Sequence, residues 1–171
     1  LSVLVSIHHV DTILTLLGAL ASQNVPHRSF EVIIANATPS QVDVARLRRI
    51  AEQTDDLRVV YATPSRTGGR AHALNFGLRN ARAPLFWMLA DDFIPSPGCV
   101  RAHIEFHLAH PDPQDAAVAG GFFSDRLRAS RLRRWIEDDG NLFGHSFTAA
   151  GASLPTDFFY AANSSIKRTL A

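Results

Sequence analysis

The 171-residue chain contains one cysteine, Cys99, and that scarcity excludes an intrachain disulfide and a thiolate zinc cage. A lone thiol fits a reducing compartment. No apolar run approaches the roughly 20 residues that span a bilayer, and no charged-then-apolar leader opens the chain. The start at Leu1 rather than Met suggests a domain excised from something longer. An excess of charge is also missing. Lys and Arg total 17 against 16 Asp and Glu, a formal +1, so no global field points to nucleic acid or to an anionic membrane. There is no repeat, low-complexity tract or linker. With 46% hydrophobic and 19% charged residues, the composition is that of one globular domain large enough to bury a core.

What is present is a regular alternation. "SVLVSI" (2–7) is a β-branched run that reads as a buried strand. Asp11 then caps a helix with Ile13, Leu16, Leu17 and Leu20 at helical spacing. A second apolar run, Val32 to Ile34, marks a strand near 31–35 and ends in Asn, Thr, Pro and Ser. Ser40 and Asp43 form a capping box for a helix carrying Val44, Leu47 and Ala51 on one face. "LRVVYA" (57–62) is a third strand. "RTGGRAHALNFGLRNAR" opens on glycines and becomes a helix with Ala71, Leu74, Leu78 and Ala81 inward. A fourth strand (85–89) follows. Strands alternating with helices predict a mainly parallel sheet covered by helices on its faces, with ligands gathering at the carboxyl ends of the strands. Further on, "PGCVRAHIEFHLAH" is helical until Pro111, "AAVAGGFF" (116–123) reads as a fifth strand, and "SDRLRASRLRRWIEDDG" as a charged helix.

The fourth strand raises the chemical question. "FWMLADDFIPSP" drives an apolar run onto two adjacent carboxylates, Asp91 and Asp92, whose mutual repulsion costs free energy unless a cation or a hydrogen-bond network compensates. They stand at a strand's carboxyl end, on the same rim as His8, His9, Asn36 and the Arg66–Arg70 loop. A divalent cation held by oxygen ligands is one answer, because Mg²⁺-type sites need only one or two protein carboxylates when other ligands complete the shell; an acidic turn or a helix N-cap is the plain alternative.

With these residues in place, the chain resembles the family 2 glycosyltransferases of the GT-A fold along nearly its whole length. "VLVSIHHVDTILTLLGALASQ" is similar to that family's opening strand and helix. "FEVIIANATPS" resembles its second strand, "GGRAHALNFGL" its Gly-Lys-Ala-x-Ala-Leu-Asn-x-Gly segment, "LADDFIPSPG" its Asp-x-Asp metal motif, and "YAANSSIKRTL" its Asn-x-Ser-x-Arg-Arg stretch on the acceptor side. The resemblance implies a single GT-A domain over 1–171, an α/β Rossmann-like sheet between helices. Residues 1–95 would be the nucleotide-sugar-binding half and 96–171 the start of an incomplete acceptor-side half. It implies metal-assisted, inverting transfer of a sugar from a UDP-, GDP- or dTDP-sugar to a sugar, lipid-linked or small-molecule acceptor. The cofactor would be Mn²⁺ or Mg²⁺. The setting would be bacterial polysaccharide or glycoconjugate synthesis in the cytoplasm, with peripheral contact at the membrane's cytoplasmic face. Carried over by position, Asp92 is the metal ligand, and Ser6, His8, Asn36, Arg70 and Asp91 contact the nucleotide.

The chain departs from the family pattern at informative places. Ala90 stands where the first Asp of Asp-x-Asp is usual, Ala35 where an Asp usually bonds the base, and His8 and His9 where Tyr-Asn is usual. The family's catalytic base lies downstream of the Asn-x-Ser-x-Arg-Arg stretch, past Ala171, so no residue is assigned that role; Asp157 reads as a turn cap. These departures keep a second class open, a non-catalytic nucleotide-sugar-binding module. A dinucleotide oxidoreductase is disfavoured because "SIHHVD" replaces GxGxxG after the first strand.

Three other clusters have plain readings. His103, His107 and His110 lack the HExxH pattern and read as histidines near a helix C-terminus. "RLRASRLRRW" reads as a solvated helix paired with Glu137, Asp138 and Asp139, with an anionic surface as the alternative. Trp135, Phe143, His145 and Phe147 read equally as aromatic core or as an acceptor-stacking set.

Overall fold

The computed structural model describes residues 1–7, 10–36, 41–52, 57–62, 69–139 and 149–171. Within them the element order is β1 (Ser2–Ile7), α1 (Val10–Ala21), β2 (Glu31–Asn36), α2 (Gln41–Glu52), β3 (Arg58–Ala62), α3 (Gly69–Asn80), β4 (Leu85–Ala90), α4 (Cys99–Ala109), β5 (Ala116–Val118), α5 (Asp125–Arg128), α6 (Arg131–Asp138) and β6 (Asn163–Lys167). One sheet runs β3-β2-β1-β4-β6-β5. The β1–β2, β1–β4 and β2–β3 pairs are parallel, and β6 is antiparallel to both β4 and β5.

Two apolar layers explain why β1, β2 and β4 are buried along nearly their whole length. Val3, Val5, Ile7, Val32, Ile34, Trp87 and Leu89 face Ile13, Leu16 and Leu20 of α1, Leu47 and Ile50 of α2, and Val100 of α4. Leu4, Ile33, Phe86 and Met88 face Leu74 of α3. Strands covered on both faces carry continuous rather than alternating apolar runs, which is the pattern these strands show.

The structure corrects several local expectations. Asp11 is not the cap of α1. It lies in the first turn of a helix that begins at Val10, where its charge favours the helix dipole, and it pairs with Arg46 of α2 at 2.8 Å. The inward face of α3 is Ala73, Leu74 and Gly77. Ala71 is exposed, Leu78 is half-buried, and Ala81 is buried just past the helix end. Ile50 joins Leu47 as the buried face of α2; Ser40 lies outside the described residues. The fifth strand stops at Val118 instead of reaching 123. The single charged helix is two short ones, broken at Ala129 and Ser130.

The larger omission is β6. "NSSIK" has four polar or charged residues in five and no period-two apolar pattern, yet it is buried between β4 and β5. Asn163 and Ser165 share the face of Trp87 and Leu89, because Trp87 pairs with Ser165 and Leu89 with Asn163. Above that face lies α4, whose i, i+4 histidines complete the polar residues beneath. His103 Nδ1 lies 2.8 Å from Ser165 Oγ, His107 Nε2 lies 2.9 Å from the same atom, and Trp87 Nε1 donates to Asn163 Oδ1 at 2.9 Å. The two histidines are therefore interior hydrogen-bonding groups, not dipole-facing residues at a helix end. Burial lowers the pKa of both rings, and His103 falls to about 4, so they are neutral at physiological pH.

Candidate functional site

The parallel pairing brings three strand ends to one rim. Ser6 of β1 stands in register with Ala35 of β2 on one side and Ala90 of β4 on the other, and Ile7 pairs with Asn36. Adjacent strands lie about 4.8 Å apart, so Ser6, Asn36 and the residues just past Ala90 share a short arc of the sheet's carboxyl edge.

Asp91 and Asp92 form the corner of a tight turn, closed where Phe93 N donates to Ala90 O at 3.1 Å. The turn is tied to β6, because Ala90 N donates to Ala162 O at 2.9 Å. Consecutive residues in a turn point differently, and the two carboxylates differ sharply in environment. Asp91 is buried at 7% exposure, whereas Asp92 is exposed. The pair thus offers one carboxylate set into the protein and one turned to solvent. Both are hard oxygen donors, which suits Mg²⁺ or Mn²⁺ with substrate and water filling the remaining positions. Among the described residues no three His, Cys, Asp or Glu side chains converge into a metal cage. His103 and His107, whose i, i+4 spacing could suit a metal, are already held by Ser165.

Asn36 is buried, and its Nδ2 donates to Tyr61 Oη at 2.8 Å. Tyr61 was not among the expected site residues. Its signal was its place in the last two residues of the third strand, where an aromatic with a hydroxyl reaches the rim. Ser6 is 1% exposed, and its Oγ has no hydrogen-bond partner among the described residues. His8 lies outside the described residues, as do His9 and Arg66.

The helix α3 opens at Gly69, whose φ of 70° is a left-handed conformation that a side chain would strain. That turn delivers Arg70 to the rim. Its guanidinium does not stand free: Nη2 donates to the carbonyl of Ala161, just before β6, and Nε is buried without a partner among the described residues. Arg70 therefore links α3 to the entry of β6, and any phosphate would share it with that carbonyl.

On the other side of the rim, α5 and α6 pack on each other. Glu137 is buried, accepting the Phe123 N–H at 2.7 Å and pairing with Arg128 at 3.0 Å. Of the expected pairing with Glu137, Asp138 and Asp139, Arg128 pairs with Glu137 and Asp138, while Arg126, Arg131, Arg133 and Arg134 pair with no acid among the described residues. Trp135 is 57% exposed and thus not core; Phe143, His145 and Phe147 lie outside the described residues. Asp157 sits in a single 3₁₀ turn, Thr156–Phe158. A separate cavity of about 330 Å³ lies at the opposite end of the sheet, lined by His27, Arg28, Glu31, Arg58 and Arg82 among others.

Comparison with known proteins bears on the whole architecture. The family model described as "Glycosyl transferase family 2" matches residues 2–170. No curated protein sequence matches. Among solved structures, the mannosyltransferase PcManGT from Pyrobaculum calidifontis, in complex with GDP-Man and Mn²⁺, is similar at 22% identity and a TM-score of 0.72, covering 99% of this chain and 44% of that one. S. aureus TarS 1–349 in complex with UDP-GlcNAc is similar at 17% identity and a TM-score of 0.58, covering 79% of this chain and 42% of that one. A mycobacterial protein is similar at 18% identity and a TM-score of 0.55, covering 99% and 53%. The chain therefore spans about half, or less, of the solved structures it matches. At these identities the likeness shows the fold: a mostly parallel GT-A-type sheet between helices, as the sequence predicted.

Proposed function

Because the chain belongs to glycosyl transferase family 2, we propose that it forms the nucleotide-sugar domain of an inverting glycosyltransferase. Residues 1–95 supply the donor side and 96–171 the beginning of the acceptor side. The single observation that carries the reading is the convergence of Ser6, Asn36 and the Asp91–Asp92 turn on the carboxyl edge of three adjacent strands. Exposed Asp92 is the ligand for Mn²⁺ or Mg²⁺. Asp91, Ser6, Asn36, Arg70 and His8 contact the nucleotide.

In the reaction the acceptor oxygen forms a bond to the anomeric carbon from the side opposite the diphosphate. The bond from that carbon to the diphosphate oxygen breaks, and the acceptor proton passes to a general base. No described residue is assigned as that base. The leaving diphosphate gains negative charge, and a divalent cation held by Asp92 would supply Lewis-acid stabilisation there. On the chain's side, Arg70 brings a cation near the N-terminal end of α3, where free N–H groups favour phosphate. Asn36, oriented by Tyr61, stands at the rim beside the base.

The acceptor is a sugar, a lipid-linked sugar or a small molecule, and the work is cytoplasmic. Among the described residues no helix is long and apolar enough to cross a membrane. The unpaired arginines of α5 and α6 around exposed Leu132 and Trp135 suit peripheral contact with an anionic cytoplasmic leaflet. Flotation with anionic and with zwitterionic vesicles tests that contact.

A second reading has its own observation: Ala35 and Ala90 put buried methyl groups on both sides of Ser6. A module that binds nucleotide sugar without turning it over fits that loss of polar groups. Calorimetry against UDP-, GDP- and dTDP-sugars, with and without Mn²⁺, tests both readings. Metal-dependent binding with sugar transfer supports the enzyme, binding without transfer the module, and no binding removes both.

A further inference from the structure

Gly121 lies after β5, some 30 positions along the chain from the acidic turn, and its backbone φ is not in the left-handed region that calls for glycine. What calls for glycine is space. A Cβ at Gly121 would stand 2.4 Å from Cε1 and 2.7 Å from Cζ of Phe93, closer than carbon atoms approach without something moving.

Phe93 cannot yield freely on either side. Its ring packs against the core layer under α1 and α4. Its backbone N–H closes the turn that presents Asp91 and Asp92. The segment bearing Gly121 is equally held. Asn163 Nδ2 donates to Gly120 O at 3.1 Å, and Ala119 N donates to Asn163 O at 2.9 Å. Asn163 in turn accepts from Trp87 Nε1 at 2.9 Å. A ring clamped between a fixed glycine and a packed core fixes the backbone it hangs from.

We propose that Gly121 is a positioning residue for the carboxylate turn. By leaving room for the Phe93 ring it sets the orientation of Asp91 and Asp92, and through them the geometry offered to the cation and the donor diphosphate. The inference rests on the reading of that turn as the cation site.

The test is Mn²⁺ binding in the purified protein, followed by titration in the presence of a nucleoside diphosphate, with thermal unfolding recorded alongside. Gly121→Ala should weaken Mn²⁺ affinity about tenfold. Phe93→Leu removes the two ring atoms that a new Cβ would strike. The double variant Gly121→Ala/Phe93→Leu should therefore recover most of the affinity that Gly121→Ala alone loses. Should Gly121→Ala fail to fold, Phe93→Ala puts the same question without a clash: removing the ring should loosen the turn and weaken Mn²⁺ affinity while the sheet stays folded. A Gly121→Ala protein of lowered melting temperature and unchanged Mn²⁺ affinity would overturn the proposal, as would a double variant with no recovery or a Phe93→Ala protein that binds Mn²⁺ like the parent. Asp92→Asn separates the two levels. If it too binds Mn²⁺ like the parent, the cation-site reading has failed. If it alone loses binding, that reading stands and the role of Gly121 falls.

Discussion

The two ends of the sheet treat a carboxylate in opposite ways. At the amino end, Glu31 is buried and held by three protein groups. Its Oε1 accepts the Ser2 hydroxyl and the Arg82 N–H, each at 2.7 Å, and its Oε2 pairs with Arg58. At the carboxyl end, Asp91 is equally buried but sits beside Asp92, which is exposed. Both oxygens of Glu31 are engaged by the protein, although a cavity opens beside it. The acidic turn leaves a carboxylate in water next to another of the same charge. A buried carboxylate gripped by three protein donors holds the fold together. Adjacent carboxylates of unequal burial at a strand's carboxyl end, one of them turned to solvent, are arranged for something that arrives from outside.

Breaking the amino-end carboxylate should have the largest effect. Glu31→Ala strands the Ser2 hydroxyl, the Arg82 N–H and the Arg58 guanidinium. Removing one partner of a buried pair typically costs 3–5 kcal/mol, and because Arg58 is partly exposed the loss should be about 3 kcal/mol in urea unfolding. Nucleotide affinity, measured where the variant is still folded, should not change.

Next comes acid. His103 is neutral in the fold with a pKa of about 4 against 6.5 unfolded, so the unfolded chain takes up a proton that the folded chain refuses. The stability it protects is complete above pH 6.5 and declines as pH falls toward 4, by as much as about 3 kcal/mol. His107 shifts in the same direction. Unfolding midpoints between pH 7 and 4 should fall on this account, and a His103→Phe protein should show a shallower decline. A flat profile would mean that the α4–β6 layer hydrates freely.

Asp92→Asn should do the reverse of Glu31→Ala. Stability should change by less than about 0.5 kcal/mol, as for exposed sites. Nucleotide affinity in Mn²⁺ should drop more than tenfold, about 1.4 kcal/mol, and binding in EDTA should not distinguish the variant from its parent. Equal affinity in Mn²⁺ would put Asp92 in the same structural class as Glu31.

The smallest effect tests the middle of the rim. Tyr61→Phe removes the hydroxyl that accepts from Asn36 Nδ2 and should cost about 1 kcal/mol in stability. The affinity for a nucleoside should change because Asn36 loses a group that orients it, while the affinity for free Mn²⁺ does not. Calorimetry against a nucleoside and against Mn²⁺ reads the two separately.

Much of this was legible before any coordinates. The βαβ order from β1 to β4, the two-sided burial of those strands and the place of Asp91–Asp92 at a strand's carboxyl end all follow from local hydrophobic period and turn residues. These are properties of short windows, and a short window is what a sequence pattern reports. Tertiary structure decided the rest. That "NSSIK" is a strand depends on β4 and β5 supplying its backbone partners, since its own side chains carry no strand signal. That His103 and His107 are interior groups depends on Ser165, about 60 positions away, arriving beneath α4. That Arg70 binds the Ala161 carbonyl, and that Gly121 has no room for a side chain, depends on segments brought together only by the antiparallel insertion of β6. Local periodicity chooses the elements; long-range packing chooses which polar groups are used up inside the protein and which remain for a ligand.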